Sequence, residues 1–440
     1  MKTSPHPSQG SPATQLCGDD VDAGPLTRGL GQLYVVMSVL VGFEAISLGP
    51  SVRYLVILLG VGLLLLVART DLLKIRLVAP ALGLVVWSVA SLAWSVSPGD
   101  TLLELAGVML LLVTLGVASV LPLRDLLKAH VRAIQLVVAA TFLTLVLDPS
   151  TALGGGAWKG GFYHKNLLAT FAAFSIPWVL AFAEKRSHKI VTVTGLIVLI
   201  IGSKSATGLI GLLVGVLCWW WLRLLQRRPH RSRSDIVVTT GCLGAVAALG
   251  VWTSLSSIAA VYGKDLTLTG RTAIWEAIIV KVGERPLQGF GLGAFYSGFN
   301  INQSAELLAQ VGFFHTHTHN GVLEVVLGLG LVGVVLVLML VAMSFADGLR
   351  LFETQPLAAR WLISATLVVV VMSISERTLT GAGWLSVLTV MRIVGIRMRE
   401  RPEPTGEGGR PDDVGRNSDT GSVLGEGSVS RDLVAGPLQS

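Results

Sequence analysis

Residues 314–324 read Phe314-His315-Thr316-His317-Thr318-His319-Asn320-Gly321-Val322-Leu323-Glu324, and they open a long apolar run. Three of the eight histidines of the chain fall within five residues here. An apolar run of this length predicts a membrane-spanning helix. Ionisable groups at membrane depth are costly and usually functional. The stretch therefore predicts a membrane protein with chemistry where this helix meets the bilayer surface.

The composition of the whole chain agrees with a membrane protein. Of its 440 residues, 52% are hydrophobic and only 14% are charged. This balance is far from that of a soluble domain and is typical of a polytopic membrane protein. The net charge of +7 is explained by basic loops on one side of a membrane, so we expect no nucleic-acid partner.

The apolar segments predict an all-α polytopic fold with about twelve transmembrane helices, because a span needs about 20 apolar residues. They form one membrane domain, residues 29–396. Residues 1–28 and 397–440 have too little apolar surface to offset the entropy of ordering and are predicted to be disordered tails. The predicted spans are 30–48, 53–68, 77–95, 101–121, 131–147, 166–183, 189–202, 206–223, 236–252, 319–345, 361–375 and 383–396.

The basic residues predict the orientation of these spans. With the N-terminus inside, the inner loops carry sixteen Lys and Arg residues and the outer loops carry nine. We therefore expect a multi-pass protein of the cytoplasmic membrane with both termini in the cytoplasm. One long loop, residues 253–318, then faces outward together with segments 158–166, 203–207 and 375–382.

The long outer loop contains a predicted amphipathic helix at residues 272–283. Ile274, Trp275, Ile278 and Ile279 form an apolar stripe at helical spacing, and Pro286 ends the helix. With a tryptophan on the stripe, we expect this helix to lie along the outer membrane interface.

The outward cations indicate the class of ligand. An enzyme on this side has no ATP or nucleotide sugar, so it must use a substrate that is already activated. Lys165, Lys204 and Arg271 lie in polar, glycine-containing contexts and are suited to a phosphate-bearing lipid, with Arg as the better bidentate partner. A nearby histidine can act as a general base near neutral pH.

The histidine run allows other interpretations. Because alternate residues share a face in an extended strand, His315, His317 and His319 could hold a metal ion. No outward cysteine accompanies them and the nearest carboxylate is Glu324, so we expect no metal. A merely solvated histidine loop is the third possibility.

The charged residues elsewhere have simpler interpretations as well. Lys204 could extend along apolar surface to reach water at a helix turn, and Arg271 could anchor the amphipathic helix at the interface. Glu376 and Arg377 could form a local ion pair in a tight turn.

One glycine-rich motif is similar to a nucleotide-binding loop but is better explained by its backbone conformation. The segment Gly289-Phe290-Gly291-Leu292-Gly293-Ala294-Phe295 follows a proline and not a strand, so it lacks the context of a nucleotide-binding loop. Its glycines are better suited to a tight turn or to close backbone approach to a ligand.

Taken together, the motifs resemble the O-antigen ligase and polymerase superfamily, and within it the exopolysaccharide-production polymerase-like branch. The resemblance covers about residues 75–380, and the order and common side of the motifs make it specific. The matching segments are Trp94-Ser95-Val96-Ser97-Pro98, Gly160-Gly161-Phe162-Tyr163-His164-Lys165-Asn166, Ser203-Lys204-Ser205-Ala206-Thr207-Gly208, Gly270-Arg271-Thr272-Ala273-Ile274-Trp275, residues 286–295 and His317-Thr318-His319-Asn320-Gly321 with Glu324. The family often has arginine where this chain has Lys204.

This resemblance implies a metal-independent, inverting glycosyltransferase with the membrane fold of lipid-sugar enzymes and no cofactor. The donor would be a glycan on a polyprenyl diphosphate, and the acceptor a hydroxyl of a glycan or lipid. His319 would be the catalytic base, and Arg271 with Lys204 would hold the diphosphate. Weaker candidates for diphosphate binding or positioning are Lys165, His164, His317, Asn320, Glu324 and Glu376.

Three functions remain open at the level of sequence. A polymerase would join lipid-linked repeat units, whereas a ligase would move finished glycan to a lipid or protein. Other polysaccharide-assembly proteins are possible partners of either enzyme. A transporter is less favoured, because few ionisable residues lie deep in the predicted spans.

Overall fold

The structure is a computed structural model, and it describes residues 24–43, 45, 50–66, 79–230, 232–240, 271–296 and 317–400. His315, most of the long loop 253–318 and most of both predicted tails lie outside these residues. The helices are α1 (Pro25–Gly42), α2 (Pro50–Leu66), α3 (Ala79–Ala90), α4 (Pro98–Val120), α5 (Leu123–Leu147), α6 (Pro149–Ala152), α7 (Lys165–Phe182), α8 (Arg186–Ser203), α9 (Ala206–Gln226), α10 (232–240), α11 (Arg271–Val282), α12 (Gly321–Arg350), α13 (Pro356–Ser373) and α14 (Ala382–Arg399).

The described residues are mostly helical, in agreement with the predicted fold class. Eleven of the twelve predicted spans lie mostly within helices of the described residues. The remaining span, 236–252, begins within α10 and continues outside them. By length and composition, six helices in the described ranges are suited to cross a membrane, namely α4, α5, α7, α9, α12 and α13. The number of about twelve spans therefore stays a prediction.

A small β-hairpin departs from the all-α prediction. Leu153–Gly154 (β1) pairs antiparallel with Ala157–Trp158 (β2). Gly155 and Gly156 form the turn between them with φ values of +59° and +71°. Glycine is suited to both turn positions because it has no Cβ to clash in the left-handed region.

The outermost helices extend beyond the predicted limits of the membrane domain. α1 already begins at Pro25, where a proline in the first turn loses no helical hydrogen bond. α14 continues to Arg399. Its Arg397 donates from Nη1 to the carbonyl oxygens of Ala118 (3.1 Å) and Leu121 (2.6 Å) at the end of α4. A residue assigned to a tail because its segment has little apolar surface therefore belongs to the helical bundle.

The core of the bundle lies where α7, α9, α12 and α13 pack together. Trp178 on α7 and Trp361 on α13 are both fully buried, and their ring centroids lie 4.6 Å apart in an edge-on arrangement. This packing fixes the C-terminal part of α7 to the N-terminal part of α13, and the candidate site is built on the opposite ends of these two helices.

The long helix α12 is interrupted at Gly330, which has φ +67° and ψ −170°. A Cβ there would lie 2.1 Å from the Leu287 carbonyl oxygen, so only glycine fits. Backbone carbonyl groups close to this interruption accept hydrogen bonds from residues outside α12. Leu329 O accepts from Trp87 Nε1 (2.8 Å), and Leu327 O accepts from Phe290 N (2.8 Å). These bonds satisfy backbone groups that a break in an apolar environment would otherwise leave unpaired.

A cluster of buried charges lies near the C-terminal end of α12. Asp347 is fully buried and forms an ion pair with Arg392 of α14, which is 6% exposed. Arg399 Nε and Arg350 Nη1 lie 3.2 Å and 3.5 Å from Asp347 Oδ1. The sequence pattern had indicated few ionisable residues deep in the spans, and this cluster was not predicted. The pairing crosses from α12 to α14, so spacing along one helix does not reveal it.

Candidate functional site

Segments that are far apart in the sequence meet at one end of the bundle. These are residues 164–166 at the start of α7, residues 203–207 between α8 and α9, Arg271 at the start of α11, residues 317–320 before α12 and residues 375–376 after α13. The sequence predicted that all five of these segments share one side, and contacts between them are present. That this side faces outward stays a prediction.

Glu376 is the centre of these contacts. Its Oε1 accepts from Arg271 Nη2 (3.3 Å) and from Asn166 Nδ2 (2.7 Å). Arg271 also donates from Nη1 to the Ser375 carbonyl oxygen at 2.5 Å. The side chains of Arg271 and Glu376 are only 17% and 11% exposed, so the ion pair is largely shielded from solvent.

Two interpretations of these charges from sequence are wrong. Glu376 is paired with Arg271, and its neighbour Arg377 is exposed. Arg271 is not free to act as an interfacial anchor, because its guanidinium is directed into the Ser375–Glu376 turn. The contact that replaces both interpretations is the ion pair between Arg271 and Glu376. It forms because α11 packs near the end of α13, which the order of residues along the chain does not reveal.

The histidines lie in a short loop that is held from two sides. Thr318, which is buried between His317 and His319, donates from its backbone N to Glu324 Oε2 at 2.8 Å. Its carbonyl oxygen accepts from Trp275 Nε1 of α11 at 2.9 Å. His319 has φ +52°, which is uncommon for a residue with a side chain and marks a constrained backbone.

The residue after His319 ties this loop to α12 and to α13. Asn320 is the N-cap of α12, and its Oδ1 accepts from the backbone N of Val322 and of Leu323, each at 3.0 Å. Its Nδ2 donates to the Ile374 carbonyl oxygen at 3.1 Å. The Asn320 amide therefore fixes His319 beside the turn that carries Glu376.

Three donor groups converge as a result. The ring centroids of His317 and His319 are 3.9 Å apart. One ligand atom from each imidazole and one from the Glu376 carboxylate all lie within 4.8 Å of one another. The sequence named Glu324 as the nearest carboxylate, but the structure brings Glu376 to the histidines and uses Glu324 to hold Thr318.

The electrostatics of this cluster favour a neutral His317. Burial lowers the pKa of His317 to about 3, and the neighbouring His319, Arg377, His164 and Arg271 act in the same direction. Burial raises the pKa of Glu376, while Arg271 and the hydrogen bond from Asn166 oppose that rise.

The two candidate lysines lie in segments that adjoin the cluster. Lys204 is exposed and has φ +51° at the C-terminal end of α8. The next turn contacts the Glu376 segment, because Thr207 Oγ1 lies 3.0 Å from Ser375 Oγ. Lys165 begins α7 beside His164, whose Nδ1 accepts from Asn166 N at 3.2 Å. Partial burial, followed by the positive charges of Lys165 and Arg271, lowers the pKa of His164.

The glycine-rich segment 289–293 serves as structural support for this end of the bundle. Gly289 and Gly291 have φ values of +67° and +104°, and a Cβ on either would overlap Gly328 or Ser95. Val96 N donates to the Phe290 carbonyl oxygen, and Trp94 Nε1 to that of Gln288, each at 3.0 Å. The prediction of tight turns is confirmed, and the close backbone approach seen here is to the broken part of α12.

Helix α11 differs from its predicted placement. Its stripe residues Ile274 and Ile278 are buried in a cluster with Phe290 and Leu327, so they pack on protein. Ile279 is 60% exposed. This packing holds Arg271 and Trp275 against the site.

Sequence reasoning missed four residues that build the site, namely Asn166, Trp275, Thr318 and Ser375. Asn166, Trp275 and Thr318 belong to the quoted motifs, but their roles are contacts to a carboxylate and to backbone carbonyls in other segments. A polar residue at the start of an apolar helix, such as Asn166, was the one available signal.

Comparison with known proteins agrees with this set of motifs. The sequence model described as O-antigen ligase matches residues 190–338. The exopolysaccharide production protein ExoQ of Rhizobium meliloti (strain 1021) is 29% identical over 234 residues, which are 50% of this chain and 52% of ExoQ. The match thus spans about half the length of this curated relative. These matches, and the residues that carry them, support a relation of the chain to the O-antigen ligase-related superfamily.

Proposed function

We propose that this chain is an integral membrane glycosyltransferase that polymerises polyprenyl-diphosphate-linked oligosaccharide repeat units on the outer face of the cytoplasmic membrane. The observation that carries the proposal is the convergence of His319, Glu376 and Arg271 from three separate segments. It brings a titratable base next to an oriented cation, which is what transfer from a diphosphate requires.

In the proposed reaction, His319 acts as the base. Its imidazole removes the proton from an acceptor hydroxyl, and the resulting oxygen attacks the anomeric carbon of the donor sugar. The bond from that carbon to the diphosphate breaks, and its electron pair stays on the diphosphate oxygen. A general base of this kind contributes about 10²–10⁴ in rate. The proton then passes from His319 to solvent, and the transfer inverts the anomeric carbon.

Arg271 stabilises the negative charge that develops on the leaving group. Of its five N–H donors, it uses donors on Nη1 and Nη2 for Ser375 and Glu376, and others remain for the diphosphate. Because these contacts fix the guanidinium before substrate arrives, little reorganisation is needed during the reaction. Lys204 and Lys165, in segments that adjoin the cluster, supply further positive charge toward the diphosphate. In this scheme transfer needs no metal ion.

The likeness to an exopolysaccharide production protein supports polymerisation. The description of the matching family supports a second candidate, a ligase that transfers finished glycan from the carrier to a lipid or protein. The two enzymes share the donor and the cluster and differ in the acceptor.

Deletion of the gene followed by glycan analysis distinguishes the two. Loss of a polymerase leaves single repeat units, whereas loss of a ligase leaves full-length polymer on its lipid carrier. Complementation with His319→Ala should fail although the variant is inserted at the normal level. Glycans that are unchanged in length and attachment after deletion would refute both functions.

A further inference from the structure

The cluster of His317, His319 and Glu376 is also a ligand set for a divalent transition metal ion. Two imidazoles and one carboxylate with an open fourth position form a donor set that zinc takes in proteins. Calcium and magnesium prefer sites built from oxygen ligands, so this set selects against them. The two histidines are partly exposed, which leaves a route for an ion to reach them.

The three ligand atoms lie somewhat farther apart than the ligands of a bound zinc ion. The three ligand atoms lie within 4.8 Å of one another, whereas donors around one tetrahedral zinc lie about 3.3 Å apart. The imidazole rings are already adjacent, with centroids 3.9 Å apart.

The charges around the cluster decide what such an ion would do. Glu376 is already paired with Arg271 and accepts from Asn166, and Arg377 adds positive charge that acts on both His317 and Glu376. A divalent ion must therefore compete with Arg271 for the carboxylate and bind beside other cations. This arrangement opposes a permanently bound metal and favours reversible binding.

We propose that His317, His319 and Glu376 form an inhibitory site for a divalent transition metal ion such as Zn²⁺. The bound ion occupies the ring nitrogen of His319 and draws Glu376 away from Arg271. One event then removes the base and one of the two contacts that orient the cation. The inhibitory effect rests on the proposed transferase function, whereas the binding site does not.

Binding is tested on the purified full chain in lipid nanodiscs with Co²⁺ as the probe, because tetrahedral Co²⁺ has intense visible absorption bands. We expect saturable binding of one ion that Zn²⁺ displaces. His317→Ala should weaken it at least tenfold, and Glu376→Gln should weaken it as well. His188→Ala is the matched control, since His188 is an exposed histidine near the opposite end of α8. Absence of saturable binding, or equal weakening in the His317 and His188 variants, would overturn the site.

Inhibition is tested by glycan transfer in buffered free Zn²⁺. Wild-type transfer should fall as Zn²⁺ occupies the site and recover fully with chelator. Binding with unchanged transfer would overturn the inhibitory role and leave the proposed function intact. Binding in a chain that transfers no glycan, with or without chelator, would overturn the transferase assignment and the inhibitory role together, but not the site.

Discussion

Arg271 and Glu376 are 105 residues apart in the sequence, and their side chains meet with Nη2 3.3 Å from Oε1. The first begins α11 and the second follows the end of α13. Asn166 of α7 binds the same carboxylate oxygen. One carboxylate thus joins three helices and sets the direction of the cation that we propose to face the diphosphate.

Replacement of Glu376 by Gln should destabilise the protein by about 1–3 kcal/mol, because it leaves the shielded Arg271 charge without its counterion. The measurement is the thermal midpoint of the detergent-solubilised protein. Arg377→Gln is the matched control, since Arg377 is the exposed neighbour, and a surface change of this kind costs about 0.5 kcal/mol or less. Equal losses in the two variants would contradict the observed pairing.

Arg271→Lys should lower kcat/KM for transfer at least tenfold. A lysine keeps the charge but cannot contact Ser375 O, Glu376 and a diphosphate oxygen in fixed planar geometry. Initial rates with a polyprenyl-diphosphate donor check this expectation. Wild-type rates for the variant would mean that only the charge at this position matters.

Trp275→Phe removes the indole N–H that donates to Thr318 O and keeps an aromatic ring in the packing. We expect kcat to fall about three- to tenfold with KM unchanged, since the donor is bound elsewhere and only the His319 loop loosens. Steady-state kinetics on purified protein measure both constants. An increase in KM alone would assign Trp275 to substrate binding.

The pKa of His317 makes part of the stability depend on pH. In the unfolded chain this residue takes up a proton near its ordinary pKa of about 6.5, whereas in the folded protein it does so only near pH 3. Between these values the unfolded state binds more protons, so stability falls as the pH is lowered. His317→Gln lacks this contribution, and its thermal midpoint should fall less than that of wild type between pH 7.5 and pH 5. Parallel curves for the two proteins would contradict the shift.

The sequence predicts the helices and the convergence of the site well, for a physical reason. Apolar run length gives helices such as α12, and the side of each loop follows from alternation along the chain, so His319, Arg271 and Lys204 could be placed on one side in advance. Which residues pair between helices could not be predicted in the same way. A local pair of Glu376 with Arg377 was one interpretation, and Glu324 was named as the carboxylate nearest to the histidines. Neither inference used the packing of α11 near the end of α13.

Local backbone constraints were equally hidden from the sequence. The left-handed conformation of His319 was not predicted. The break at Gly330 accompanies the close approach of Leu287, which belongs to another segment. A glycine in an apolar run indicates tolerance of close approach, but not which chain segment approaches.

The buried Asp347 has a consequence for the order of folding. Its buried counterion, Arg392, belongs to the last helix of the described residues, so until α14 is synthesised and docked the Asp347 carboxylate has only the largely exposed Arg350 of its own helix as a partner. A lone buried charge costs several kcal/mol. Stable closure of the bundle is therefore coupled to the synthesis of α14, because a chain that stops before Arg392 lacks the buried partner of Asp347.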